Sequence, residues 1–210
     1  MMRFLNFLQF LKERVFAISS IYKMFQKFAN GDLKTVLASD YICSNSTFKV
    51  LDIGCGPAVI LDHIPYKQYV GIDSNPKYIE AAKESYPENT NFICTNIAKL
   101  DELKLGEFDR ILILGVIHHL SDDEVNLMLA QLKRNMQVNG ILVTCDPALE
   151  SNQHPIARFL ARNDRGRFVR SSEQYLNLLS PYFLVEQQKV HHDLLRVPNT
   201  QFVTVSRARS

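Results

Sequence analysis

The chain has 210 residues, of which 46% are hydrophobic, and its formal net charge at pH 7 is +2. This length and apolar content allow one globular domain with its own core, and the near-neutral charge argues against nucleic acid as an obligate partner. The four cysteines are far apart and include no C-x-x-C pair, which is typical of reduced thiols in a cytoplasmic protein and excludes a dense disulfide framework.

The first predicted element is an amphipathic helix over residues 3–29, which ends at Asn30-Gly31. Polar residues interrupt its apolar run, so the segment resembles neither a signal peptide nor a membrane span. We expect its apolar face to pack on its own domain or on a second subunit, as in a homodimer. Contact with a membrane surface is the alternative. With a short helix over 32–41, this segment forms a predicted N-terminal helical arm or lid, residues 1–45.

From residue 46 onwards the pattern alternates between strands and helices. Five short apolar runs predict strands: FKVLDIG, QYVGID, NFICT, FDRILILG and GILVTCD. Between them we predict helices over 57–63, 76–85 and 121–136 and a turn near 98–104. The helix from 121 starts with a capping box of Ser121 and Glu124 and should end near Asn139-Gly140.

The apolar runs are continuous, which indicates strands buried on both faces of a parallel sheet that helices cover. Two further strands, at 182–190 and 200–207, are joined by a short loop and should pair antiparallel. The sequence therefore predicts an α/β fold. It is a Rossmann-like, doubly wound, seven-stranded sheet with an antiparallel C-terminal hairpin, in a domain over 46–210 with an insert at about 147–181.

The stretch VLDIGCGPA, residues 50–58, joins the first strand to the next helix. Gly54 and Gly56 allow a tight turn and the close approach of a ligand. Asp52 before them would repel a phosphate and attract an ammonium group. Asp73 ends the second strand, where a carboxylate can bind both hydroxyls of a ribose. A ligand with a ribose, a positive charge and no phosphate fits this pattern, and S-adenosylmethionine is such a ligand.

Over residues 48–147 the chain resembles the class I S-adenosylmethionine-dependent methyltransferases. The resemblance rests on the order and spacing of the glycine motif, Asp73, FDRILILGVIHHL (108–120) and MQVNGILVTCDP (136–147). It implies that the methionine end of the cofactor is bound by Asp52, Gly54, Cys55, Gly56 and Leu114. It also implies that the ribose and adenine are bound by Asp73, Ser74, Asn96 and Ile97.

Outside this core the chain is similar to a bacterial small-molecule subgroup of these enzymes whose substrate is not established. The similarity rests on residues 22–26, 153–158, 164–170 and 192–198. The last motif of the subgroup usually continues Tyr-Thr-His, whereas residues 199–201 here are Asn-Thr-Gln. The contact with the acceptor is therefore expected to differ.

His118 and His119 follow the fourth strand at the carboxyl edge of the sheet, where open α/β sheets bind ligands. One of them, His118 before His119, could be a catalytic base, and the alternative is that both only fix the loop. A metal is not expected, because no third ligand has a suitable spacing and adjacent histidine side chains should point apart.

Further candidates for binding the acceptor are Tyr22, Asp146, Arg165, Arg170 and His192. The arginines would suit an anionic acceptor, or they form a solvated face. Asp146 either orients the acceptor or caps its loop.

The expected function is methyl transfer in the cytoplasm from S-adenosylmethionine to a small-molecule acceptor, a sugar-containing or lipid-linked metabolite being one option. The nearby histidines favour O-methylation. Nucleic-acid substrates are not expected, because neither a basic groove nor a base-methylating motif is evident. The alternatives are a nicotinamide-dependent oxidoreductase on a similar sheet and a non-catalytic, methyltransferase-like partner protein. Asp52 and the glycine spacing count against the first, and the intact cofactor residues count against the second.

Overall fold

The computed structural model describes residues 32–164 and 166–209. The predicted helix over 3–29 with Tyr22, as well as Arg165, lies outside the described residues, so these assignments and the domain boundaries stay predictions.

The strands are β1 (Lys49–Ile53), β2 (Gln68–Asp73), β3 (Thr90–Cys94), β4 (Phe108–Leu114), β5 (Met136–Pro147), β6 (Phe183–His191) and β7 (Gln201–Ala208). The α-helices are α1 (Leu33–Val36), α2 (Pro76–Ser85), α3 (Asp122–Arg134), α4 (Pro155–Arg162) and α5 (Ser172–Leu179). The chain also forms a π-helical turn at Leu37–Ile42 and 3-10 turns at Val59–Asp62, Ile97–Glu102 and Ile117–His119.

The strands form one seven-stranded sheet in the order β3-β2-β1-β4-β5-β7-β6. The pairs among β1 to β5 are parallel, and β7 pairs antiparallel with both β5 and β6. The predicted fold class is therefore confirmed. Because the winding direction reverses between β1 and β4, the crevice outside their carboxyl ends is where such a sheet binds its ligand.

The core lies on both faces of the sheet, as the continuous apolar runs predicted. Ile111, Leu112 and Ile113 of β4 are all fully buried. Successive side chains of a strand point to opposite faces, so Ile111 and Ile113 pack in one apolar cluster and Leu112 in the other. This double burial fixes the sheet as the central layer, with helices on both sides.

Helix α3 begins as predicted but ends earlier than expected. Ser121 and Glu124 form the capping box, whereas the helix stops at Arg134 and β5 already begins at Met136. The predicted stop signal at Gly140 instead lies inside β5, beside a register shift against β4. A Cβ atom at Gly140 would lie 2.8 Å from Cγ of Met136 and 2.9 Å from the carbonyl oxygen of Phe108. Close packing in a bulged strand therefore explains this glycine.

The predicted insert contains α4 and α5, and the connection from β6 to β7 spans residues 192–200, within one residue of the predicted bounds. Within the described ranges, no helix combines the length and apolarity that crossing a membrane requires.

Candidate active site

The loop after β1 is shaped by two glycines with left-handed backbone angles, φ 70° at Gly54 and φ 54° at Gly56. A Cβ atom at Gly54 would overlap Cγ2 of Val116, in the turn after β4, whereas one at Gly56 would meet nothing within 4 Å. Gly54 is thus required by packing between the two loops. Gly56 leaves open space, as a site for a closely approaching ligand needs.

Gly54→Ala is expected to lower the free energy of unfolding by more than about 2 kcal/mol, because left-handed strain adds to the overlap with Val116. Gly56→Ala has only the backbone strain and should lose about 1 kcal/mol. Urea unfolding of the two variants checks this difference. The double variant Gly54→Ala, Val116→Ala should recover part of the loss, and equal losses for both single variants would contradict the packing role of Gly54.

Asp73 connects the end of β2 to this loop. Its Oδ2 accepts a hydrogen bond of 2.9 Å from the backbone N–H of Gly56, and its Oδ1 accepts one of 2.8 Å from the N–H of Asn75. Asp73 is half-buried, and Ser74 beside it is exposed. Each carboxylate oxygen has a further lone pair, so Asp73 can still accept hydrogen bonds from two adjacent hydroxyls of a ligand.

Asp52 lies beneath the loop, not on its surface. The residue is only 3% exposed, and its Oδ2 accepts a 2.6 Å hydrogen bond from the hydroxyl of Tyr69. Burial raises the pKa of Asp52 to about 7, although the Tyr69 hydrogen bond opposes the increase. Asp52 therefore supports the loop from within, in contrast to the direct ammonium contact expected from the sequence. The neighbouring Cys55 is also buried.

The other predicted cofactor residues lie at the same edge of the sheet. Asn96 is exposed after β3, but its Oδ1 already accepts a 3.0 Å hydrogen bond from the N–H of Ala98 and caps the 3-10 turn. The sequence predicts that the same oxygen accepts a hydrogen bond from the amino group of adenine. Such a bond would have to use the second lone pair of this oxygen. Ile97 and Leu114 are both half-buried.

His118 is held in the turn after β4 by two carboxylates. The imidazole Nδ1 lies 2.7 Å from Oδ1 of Asp146, which also accepts from the backbone N–H of His118 at 3.1 Å. The imidazole Nε2 lies 3.3 Å from Oδ1 of Asp164. Burial favours the neutral ring, but these hydrogen bonds and charges outweigh it and raise the pKa of His118 to about 9. The two carboxylates therefore favour the protonated form of the buried His118 ring.

The chain after α4 covers His118. The backbone N–H of Phe168 donates a 3.0 Å hydrogen bond to the carbonyl of His118. A Cβ atom at Gly166 would overlap the His118 ring, so only glycine fits there. His118 is consequently only 6% exposed.

His119 differs from His118 in both exposure and charge. It is exposed, and its ring centroid lies 4.0 Å from that of His118, so the expectation that the two side chains point apart is wrong. Burial of part of the ring, followed by the charge of His118, lowers the pKa of His119. His119 is therefore the accessible member of the pair, and its lowered pKa favours the neutral ring, which reverses the expected preference for His118 as a base.

The sequence-based reason against a metal is also wrong, because the fold brings Asp164 to the two histidines. One possible ligand atom from each of His118, His119 and Asp164 lies within 4.8 Å of the others. We do not assign them as metal ligands. A ring that is protonated at both nitrogens has no lone pair for a metal, and the proton on Nε2 meets the Asp164 carboxylate.

Arg170 is buried and turned inward, in contrast to the predicted contact with an anionic acceptor. Its Nε and Nη2 donate to Oδ1 of Asp122 at 3.0 and 2.6 Å, and its Nη atoms donate to the carbonyls of Ile117, Leu120 and Phe168. Arg170 thus links the segment after α4 to the 3-10 turn Ile117–His119, which we call the histidine turn.

Arg170→Ala is expected to lower the free energy of unfolding by about 3 kcal/mol, because it leaves buried carbonyls without a donor. Thermal or urea unfolding measures the loss, and the exposed Arg167→Ala is the matched control. A variant as stable as the parent, with only a raised KM for the acceptor, would instead restore the acceptor-binding role.

Asp146 and His192 are the remaining predicted acceptor residues. Asp146 is 2% exposed, and its Oδ2 has no hydrogen-bond partner among the described residues. It holds His118, as the loop-fixing alternative predicted. His192 is exposed, with Nδ1 3.1 Å from Oγ1 of Thr200. Sequence reasoning missed the contacts of Asp164 and Gly166 with His118 and of Tyr69 with Asp52, because no local pattern marks them.

Comparison with known proteins identifies a family to which part of the chain is similar. Residues 50–140 match the model of a methyltransferase-domain family. No curated protein matches the chain.

Several solved structures share the fold. A TehB-like S-adenosylmethionine-dependent methyltransferase from Corynebacterium glutamicum is 17% identical with a TM-score of 0.65, over 94% of this chain and 100% of that one. The N-methyltransferase NodS from Bradyrhizobium japonicum, in complex with S-adenosylhomocysteine, is 16% identical with a TM-score of 0.62, over 85% of this chain and 84% of that one. The mitomycin 7-O-methyltransferase is 20% identical with a TM-score of 0.64, over 83% of this chain and 53% of that one.

The residues present fit S-adenosylmethionine. The space at Gly56 admits a ligand against the backbone, and Asp73 offers a carboxylate beside it for the ribose hydroxyls. The match to a methyltransferase-domain family counts against a nicotinamide-dependent oxidoreductase. Over residues 50–140 the chain matches a methyltransferase-domain family, and it shares the fold of S-adenosylmethionine-dependent methyltransferases.

Proposed function

We propose that the protein methylates a hydroxyl group of a small-molecule acceptor and that His119 is the general base. The observation that carries the proposal is the exposed imidazole of His119 in the turn after β4, and its lowered pKa favours the neutral form that accepts a proton. Its turn packs through Val116 on the glycine loop. A base in this place is useful only for an acceptor that must lose a proton, such as an un-ionised hydroxyl.

The chemistry asks little of the protein beyond alignment. S-adenosylmethionine, when bound, supplies an activated methyl group on a positively charged sulfur. Asp73 would hold the ribose hydroxyls, and Gly56 would let the methionine part approach the backbone. His119 would take the proton of the acceptor hydroxyl as that oxygen bonds to the methyl carbon. The electron pair of the broken carbon–sulfur bond remains on sulfur, which becomes neutral. Alignment of the two reactants supplies much of the rate.

The nature of the acceptor follows from what surrounds His119. Asp146 and Asp164 are acidic, and Arg170 is bonded to Asp122 and to backbone carbonyls, so Arg170 is not available to an anionic acceptor. Arg165 remains a proposed contact for such an acceptor. The similar structures include an O-methyltransferase and an N-methyltransferase, so the choice of an oxygen acceptor rests on His119.

Transfer of a labelled methyl group tests the proposal. The protein is incubated with methyl-labelled S-adenosylmethionine and a panel of small phenols, alcohols and amines, in the presence of EDTA. Each hydroxyl compound is paired with its methyl ether, which has no proton to lose. We expect label in a hydroxyl compound and none in its ether. Label only in amines would contradict the hydroxyl assignment. If EDTA abolished the activity and added zinc restored it, His118, His119 and Asp164 would instead be assigned as metal ligands.

A further inference from the structure

The His118 ring and Asp146 lie buried behind His119, whereas Asp164 is exposed at the edge of this cluster. Asp146 and His118 are 2% and 6% exposed, and Asp164 closes the cluster from the segment after α4. Two carboxylates therefore converge on one buried imidazole. Asp146 is a buried carboxylate and Asp164 is a partly exposed one, and the protonated His118 ring between them balances the buried charge.

We propose that His118 is a positioning residue whose buried positive charge, fixed by Asp146 and Asp164, keeps the His119 ring neutral and ready to accept a proton. The proposal rests on the role of His119 proposed above and goes beyond it, since it assigns His118, Asp146 and Asp164 to the base and not to the acceptor.

The geometry provides the coupling. The two ring centroids are 4.0 Å apart, a separation at which two positive charges repel strongly where one of them is shielded from water. The bond from Nδ1 of His118 to Asp146 fixes the orientation of the buried ring, and the bond from the backbone N–H of His118 to the same oxygen fixes the turn that carries His119. His118 therefore sets both the position of the His119 ring and its tendency to bind a proton.

The charged groups that act on His119 come from three elements. His118 belongs to its own turn and lowers the pKa of His119. Asp146 at the end of β5 and Asp164 after α4 act in the opposite direction. We therefore expect two substitutions to have opposite effects on the protonation of His119. Removing the cation should make His119 easier to protonate, whereas removing the carboxylate of Asp164 should not.

The experiment follows the His119 ring of the full chain by NMR of labelled histidine, together with the pH profile of kcat/KM. His118→Gln should raise the midpoint of His119 protonation by about one pH unit and move the acid limb of the profile upward by the same amount. Asp164→Asn, which keeps the size and the oxygen that accepts from Gly166, should leave the midpoint unchanged or lower it. His118→Lys keeps a positive charge. The acid limb of its kcat/KM profile should therefore lie closer to that of the parent protein.

Two controls keep the outcomes distinct. His63→Gln changes a histidine elsewhere and should move neither readout. An unchanged His119 midpoint in His118→Gln, or an upward shift of the same size in Asp164→Asn, would overturn the inference. If His118→Gln does not fold, Asp164→Asn alone decides, because an upward shift in it contradicts the coupling. A shifted His119 midpoint with an activity that does not follow it would leave the coupling intact and refute the role of His119 as base.

Discussion

Asp73→Ala is expected to weaken binding of S-adenosylhomocysteine by about 100-fold or more. Two charge-assisted hydrogen bonds to the ribose hydroxyls would be lost, each contributing about 1.5–3 kcal/mol. The same carboxylate orients the glycine loop through the N–H of Gly56, so the loop also loses its support. Isothermal titration calorimetry measures the dissociation constant, and thermal unfolding verifies that the variant is folded.

A deoxyribose analogue of the ligand separates the two contributions of Asp73. Loss of one ribose hydroxyl should weaken binding to the parent protein but make little difference to Asp73→Ala, because the partner carboxylate is already absent. Glu80→Gln, an exposed change on α2, serves as the charge-matched control and should bind like the parent. A folded Asp73→Ala protein with the affinity of the parent would refute the assignment of the ribose to this residue.

His119→Gln is expected to lower kcat by about 10²–10³-fold, the usual contribution of a general base, while cofactor affinity stays within about twofold. Glutamine keeps hydrogen-bonding groups of similar reach but cannot accept the proton of a hydroxyl. Steady-state rates with the best hydroxyl acceptor and calorimetry with S-adenosylhomocysteine provide the two readouts.

The position of His119 also allows rescue from solution. The residue is exposed, so added imidazole should restore part of the rate of His119→Ala. His63→Gln is again the control for a histidine outside the turn. A variant that keeps the rate of the parent, or one that loses cofactor affinity in proportion to the rate, would contradict a role in proton transfer.

The sheet was predictable because its signals are local. Apolar runs such as that of β4 mark strands buried on both faces, and the capping box of Ser121 and Glu124 marks the start of α3. The end of α3 was not predictable in the same way. In the sequence Gly140 resembles a helix stop. In the fold it is needed because Met136 and the carbonyl of Phe108 on the neighbouring strand leave no room for a Cβ atom.

The same distinction applies to the site. Gly54, Gly56 and Asp73 lie at strand ends that the sequence pattern marks, and a hydrogen bond from Gly56 to Asp73 links the glycine loop to the end of β2. The division of roles between His118 and His119 depends on Asp146 and Asp164, which are distant in the chain. No spacing rule shows which of two adjacent histidines becomes buried. Arg170 was misread for a similar reason, since its partners Asp122 and the carbonyls of the histidine turn meet it only in the folded protein.

A crystal structure of the protein with S-adenosylhomocysteine tests the central claim most directly. We expect the ribose hydroxyls to bind Asp73 and the homocysteine part to lie along the backbone at Gly56. We also expect the His119 ring to face the sulfur across an open acceptor space. His118 should stay between Asp146 and Asp164. A ligand bound away from the glycine loop, or a His119 ring separated from the sulfur by the segment after α4, would contradict it.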